Sequence, residues 1–481
     1  MSTERELAFS DRMSDHEAMM WNVEKDPWLN PNGAGLILLD RPLDHDHFRR
    51  TLRAAVARIP RLYERVVPGL ARLSTPAWAP DPEFDLDYHV RYINVAAPGS
   101  ERQLLDLAAQ LYQEPLDRTR PLWRFVIIEG IEGGRAAIWA LIHHSVADGI
   151  GQMRMAEMYQ QLSPDEPPPD EVDLEAIVEA AVEAHDAKES GGNLATDFAD
   201  TTSKSVSHLL RRQAGTVRRA AAEVAMWGAD PTRARQAADD LTSKISTALG
   251  VVRSDSEVEG GSPLWKQRSR KRHLEWVSVP FDDLKRVSRQ HGVSINDLFL
   301  AGMVEGAIRY HRDRGITVDA FNSSFVLSTR KDRKAGGNAF TPVPVQLSGA
   351  DMPLGERVVE ISAQLAELRE SAGRSGGLTA LSGVINLLPT SLVTSVARSQ
   401  AAKIDFATSN LRGAPFPLYV SGARVVATIS MGPLAGTACN ATAMSYDGRF
   451  DIGLFVDPVA IDDPADFREA VAGAFDAVLA L

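Results

Sequence analysis

Two adjacent histidines followed at a fixed distance by Asp-Gly, in His143-His144-Ser145-Val146-Ala147-Asp148-Gly149, are the residues of this chain best suited to chemistry. They close an apolar run, Ala136 to Ile142, that follows the turn residues Gly133-Gly134 and predicts a buried strand. Side chains alternate across a strand, so the two rings should point to opposite faces, one into a reaction channel and one into its supporting core. An imidazole accepts a proton near neutral pH without special tuning, which makes one of the pair a candidate general base. Asp148 can pair with a basic group and fix the loop, and Gly149 permits a backbone that a Cβ would penalise. As metal ligands, His143 and Asp148 lack company. No further His/Cys/Asp/Glu cluster stands at ligand spacing and HExxH is absent, so no metal is expected.

Other apparent nucleophiles read as structure. Gly373-Arg374-Ser375-Gly376-Gly377 matches G-x-S-x-G, but an amphipathic helical pattern precedes it where a buried strand is required, so a loop is expected. Cys439, the single cysteine, lies in a predicted strand and reads as a packed small apolar residue.

The elements that must hold the histidines mix helix and strand in both halves. Gly35 to Leu39 reads as a strand, and Phe48, Leu52, Val56 and Ile59 give His45 to Ile59 a helical period. A helix over Glu101 to Glu114 precedes Pro121-Leu122-Trp123, which opens a strand to Glu129. The histidine strand and a helix over Gly151 to Leu162 follow. Residues 163–262 read as a linker, Pro- and acid-rich at first, and a helical insertion. In the second half, Ser294-Ile295-Asn296-Asp297 opens a long apolar helix, with Ser294 and Asp297 spaced as a capping box. Further expectations are strands over Ser324 to Ser328 and Phe340 to Leu347 and a helix over Leu354 to Glu370. Near the end come a hairpin at Asp447-Gly448 and a last helix over Pro464 to Leu479.

Composition narrows the class. A chain of 481 residues, 44% hydrophobic and 24% charged, can bury large cores in two domains. A net charge of −12 opposes nucleic-acid binding, which needs a basic surface. Residues 1–30 show no signal peptide, no stretch is apolar enough for a membrane span, and one cysteine suits a reducing cytosol, so a cytoplasmic protein is expected. Leu378 to Val396, interrupted by Pro389, suits interfacial helices. Ser207 to Trp227 sets Arg211, Arg212, Arg218 and Arg219 beside apolar residues, which suits peripheral contact with an anionic bilayer.

Taken in order, Pro121-Leu122-Trp123, His143-His144-x-x-x-Asp148-Gly149 and Asn296-Asp297 resemble the motifs of the bacterial wax ester synthase/diacylglycerol acyltransferase family. Gly337-Asn338, Ser409-Asn410 and Pro417-Leu418-Tyr419 with Gly422-Ala423-Arg424-Val425 extend the likeness over most of both halves. Ser14-Asp15-His16-Glu17-Ala18 is similar to the family's opening motif, with Glu17 where Asp is usual. The resemblance implies an α/β (α+β) fold of two chloramphenicol-acetyltransferase-like domains, 1–162 and 263–481, each a mixed sheet flanked by helices. Acyl-CoA and alcohol would enter a central tunnel from opposite ends. It implies an O-acyltransferase making neutral lipid, triacylglycerol from diacylglycerol or wax ester from a fatty alcohol. Long-chain acyl-CoA would be the co-substrate, with no permanently bound cofactor, at a membrane or lipid-droplet surface. His144 would be the general base and His143 its support, while Asp148 would hold the loop through a salt bridge.

Oxyanion donors stay open among Asn296, Ser409 and Asn410, each of which also suits a solvated or capping role. Asp297 fits the capping box without catalysis, and Trp123 reads as core more readily than as a stacking platform. The insertion and the basic stretch Lys266 to Arg272 depart from the family. That stretch suits CoA phosphates or plain solvation. Two rival functions remain: an enzyme of this fold acting on a non-lipid or carrier-bound substrate, and a catalytically silent lipid-binding scaffold.

Overall fold

The computed structural model describes residues 9–68, 75–189, 261–328, 340–375 and 390–481. The first half supplies strands β1 (Asn32–Leu39), β2 (Glu64–Val67), β3 (Ala77–Pro80), β4 (Val90–Asn94), β5 (Trp123–Ile131) and β6 (Arg135–His143). The second half supplies β7 (His273–Pro280), β8 (Ala320–Ser328), β9 (Phe340–Ser348) and β10 (Phe406–Arg412), then β11 (Tyr419–Val420), β12 (Ala423–Met431), β13 (Cys439–Tyr446) and β14 (Arg449–Val456). They build two six-stranded sheets, β11-β12-β1-β6-β5-β4 and β7-β14-β13-β10-β8-β9, with β2 and β3 paired separately. Both are mixed: β4 runs parallel to β5, and β10 runs parallel to β13 and β8.

Central strands of such sheets are covered on both faces, and the sequence of β6 shows it. Ala136, Ala137, Ile138, Trp139 and Leu141 have no exposed surface, which is why this run reads as continuously apolar. The sheets do not divide where the sequence does. β11 and β12, from beyond residue 418, complete the first sheet, with β12 antiparallel to β1 in the register Ala34↔Met431 and Leu36↔Ile429.

Helix boundaries follow their caps. Asp44 caps His45–Arg58, and Ser100 with Gln103 forms a capping box on Glu101–Gln113. Asp463 caps Pro464–Leu479, which has Pro at its first position. The expected helix over Gly151 to Leu162 is instead Gly149–Ala156. Past it Gln161 leaves the helical path to exchange backbone hydrogen bonds with Tyr419 at 2.8 and 2.9 Å, so tertiary pairing overrides propensity there. Ser375 is the last residue of the helix Leu354–Ser375, so no strand delivers it to a nucleophile turn; Gly376-Gly377 lie outside the described residues.

Among the described residues no helix is long and apolar enough to cross a membrane. The helix Thr390–Ala402, which holds the end of the apolar stretch, packs on the helix Asp15–Val23. There Arg398 bonds Asp26 at 2.7 and 2.8 Å and lies over the Trp28 ring. Residues 378–389 and 207–227 lie outside the described residues.

Candidate active site

β6 brings His143 to its last position, where the His143 N–H donates to Leu122 O at 3.0 Å. Buried Pro121 and Leu122 thus lock the rung that carries the first histidine. His143 has no exposed surface, and its Nδ1 accepts from the Ser145 N–H at 2.9 Å. A backbone N–H can only donate, so the neutral ring carries its proton on Nε2. That nitrogen faces Glu24 Oε2 at 3.4 Å. Glu24 is bonded in turn by Arg118, whose guanidinium lies 3.3 Å from the centre of the Trp21 ring. Burial raises the Glu24 pKa, but His143 and Arg118 outweigh it and hold the carboxyl below its ordinary value. His143 is therefore clamped from behind by a half-buried ion pair.

His144, in the turn that follows β6, lies against Gly33, the ladder partner of Ile142, and so on the face away from His143. Its Nδ1 edge is buried, and its Nε2 would lie 3.3 Å from a methyl built on Gly33. Burial first and His143 second hold this imidazole down to about 4, against a weaker upward pull from Asp148. At neutral pH the ring is a neutral acceptor. Asp148 is buried and accepts the Gly151 N–H at 2.8 Å, capping the helix Gly149–Ala156. This cap ties the loop, and the field of Asp148 also reaches His16 of the opening motif.

The second half meets this loop from β10. Leu411 packs on Gly149 so closely that a methyl built there would lie 2.8 Å from Leu411 Cδ2. Ser409 shares that face by alternation, while Asn410 turns the other way and donates to Asn296 Oδ1 at 2.6 Å. The histidine loop thus meets the face of β10 that carries Leu411 and Ser409, while Asn410 and Asn296 pair on the other face.

Asp297 serves the helix itself. It is buried, completes a capping box with Ser294, accepts from Ser362 Oγ at 2.9 Å and lies 3.5 Å from Arg369. Trp123 is core: its Nε1 donates to Leu62 O at 2.7 Å, and its ring stacks on His89 at 4.4 Å and 17°. Cys439 is buried, which pushes its thiol pKa up. Of the basic stretch, Arg268 donates to Gly436 O and Ile404 O, while Lys266, Arg270 and Lys271 are exposed. Gly337-Asn338 lies outside the described residues. Sequence reasoning passed over Glu24, Arg118 and Gln152. The available signal was an acid, Glu24, at the end of the opening-motif helix.

Two mixed sheets, the first completed by strands from beyond residue 418, have the two-domain, chloramphenicol-acetyltransferase-like fold. The solved wax ester synthase/diacylglycerol acyltransferase from Marinobacter aquaeolei VT8 has this fold, with a TM-score of 0.62 and 19% identity over 98% of this chain and 100% of its own. The starter condensation domain of rhizomide synthetase, solved in complex with C8-CoA, matches with a TM-score of 0.53 and 13% identity over 97% and 95%. In sequence, the wax ester synthase/diacylglycerol acyltransferase catalytic domain matches residues 13–299, and the C-terminal domain of the same family matches residues 336–478. The chain belongs to the wax ester synthase/diacylglycerol acyltransferase family. A Mycobacterium tuberculosis protein with the provisional name diacylglycerol O-acyltransferase is 29% identical over 478 residues, 98% of this chain and 92% of its own.

Proposed function

We propose that this acyltransferase moves a long-chain acyl group from acyl-CoA directly to a lipid hydroxyl, with His144 as general base. The products are triacylglycerol from diacylglycerol or wax ester from a fatty alcohol. The observation that carries this reading is a neutral imidazole whose Nε2 faces the Cβ-less Gly33 beside the seam between the halves. The alcohol proton passes to Nε2 as its oxygen bonds the thioester carbon, typically worth roughly 10²–10⁴-fold in rate. The carbonyl electrons move onto oxygen, then return to expel the CoA thiolate, which takes the proton back from the imidazolium. A ring held down to about 4 is a better acid once protonated than an ordinary imidazolium and a weaker base, so the depression helps the return of the proton rather than its removal. Direct transfer needs no acyl-enzyme, and Cys439 is packed away.

The relatives support the substrate class. The Mycobacterium tuberculosis name specifies diacylglycerol, the Marinobacter name adds wax ester, and the rhizomide synthetase domain holds an acyl-CoA. Acyl-CoA and acceptor reach the histidine from opposite ends of a passage between the halves, and the enzyme works in the cytoplasm at a membrane or lipid-droplet surface.

The test is CoA release by purified protein given palmitoyl-CoA with diacylglycerol or hexadecanol. His144→Ala should stay folded and lose nearly all turnover; full activity in that variant would reject the assigned base. No thiol release with any alcohol would favour the silent scaffold, and release only with a non-lipid acceptor would favour the other rival.

A further inference from the structure

Resting on His144 as the base, we infer that Gln152 supplies the hydrogen bond that stabilises the oxyanion formed in acyl transfer. Gln152 stands in the first turn of the helix that Asp148 caps, and its own N–H donates to Asp148 O at 2.8 Å. Its carboxamide turns back over the loop, and Nε2 donates to Ala147 O at 3.1 Å. That bond settles which end of the amide is nitrogen, because a carbonyl oxygen accepts and only NH₂ donates. A primary amide has two N–H groups, so the bond to Ala147 leaves a second one for a ligand.

The position of that second donor matters. A methyl built on Gly33 would meet Gln152 Nε2 at 3.1 Å, Gln152 Oε1 at 3.3 Å and His144 Nε2 at 3.3 Å. The carboxamide and the imidazole therefore lie side by side over the same bare stretch of β1. A base within about 3 Å of the attacking oxygen and a donor within about 3 Å of the oxyanion serve two oxygens of one tetrahedral carbon. Such groups must be close neighbours, as these are. Asn410 and Asn296, the other candidate donors among the described residues, are joined to each other, Nδ2 on Oδ1 at 2.6 Å. Gln152 is also tied to the loop that carries the base, so donor and base move as one body.

The experiment replaces Gln152 by Met, close in length but without a donor, in the full-length enzyme assayed with palmitoyl-CoA. Loss of one such donor costs roughly 10²–10³-fold in kcat, and KM for palmitoyl-CoA should stay within about threefold of wild type. Gln152→Ala should show the same split and serves if the Met variant fails to fold. A folded variant with wild-type kcat, or one impaired in KM alone, overturns the assignment. Inactive His144→Ala together with active Gln152→Met sinks only the donor. Active His144→Ala sinks the base, and the donor with it.

Discussion

The two histidines divide their labour according to which face each ring occupies. His143 is held in its tautomer by Ser145 and in its orientation by Glu24, while His144 is left as a depressed, neutral acceptor. The sign of the pH dependence follows. A protonated ring cannot accept, so kcat/KM should be flat through neutrality and fall as pH drops through about 4, not through the ordinary 6.5. A steady-state profile from pH 4 to 8, corrected for unfolding, checks this; an acid limb centred near 6.5 would contradict it. Stability moves the same way. The unfolded imidazole binds a proton near 6.5 and the folded one only near 4, so acid favours the unfolded chain between those values. Strand alternation made the division between the rings legible in sequence. The ionic clamp was not legible, because Glu24 and Arg118 lie far from the motif along the chain and no local pattern links acid to imidazole.

Among elements, the halves meet closely where Leu411 of β10 packs on Gly149 at the start of its helix. Gly149→Ala forces the Leu411 side chain to shift and should cost about 1–3 kcal/mol, as overpacking does. Leu411→Ala in the same chain should recover part of that loss. Urea unfolding of the two single variants and the double variant measures the coupling, and strictly additive effects would show that the contact does not matter. Elements with strong local signals were legible. Asp447-Gly448 forms its turn with φ of 42° and 79°, as a two-residue hairpin turn demands, and joins β13 to β14. β10 was not recognised as a strand, because Thr408-Ser409-Asn410 gives neither face an apolar run and its place is set by pairing to β13 and β8. Ser409 and Asn410 accordingly lie within a strand and not at its end.

At the level of the whole molecule, side-chain bonds also join the helix Glu101–Gln113 of the first half to β7 of the second sheet. Arg102 donates to Glu275 at 2.6 Å and to Leu274 O at 2.8 Å, and Trp276 Nε1 donates to Glu101 at 3.0 Å. Mixed helix and strand in both halves was legible from the periodic segments, and two mixed sheets flanked by helices only from the family resemblance. The placement of β12 was not, since register between distant strands leaves no mark on local sequence.

That late strand has a consequence for synthesis. β1 stays bare along one edge until residues 423–431 have left the ribosome, and a naked edge invites pairing with other chains. Products terminated before Tyr419 should aggregate when expressed, and supplying residues 261–481 in the same cells should return them to solution. A soluble, monomeric product truncated at that point would refute this. The nascent polypeptide thus carries its histidine loop from early on but completes the sheet beside it only near the end of translation, so a prematurely released product is silent.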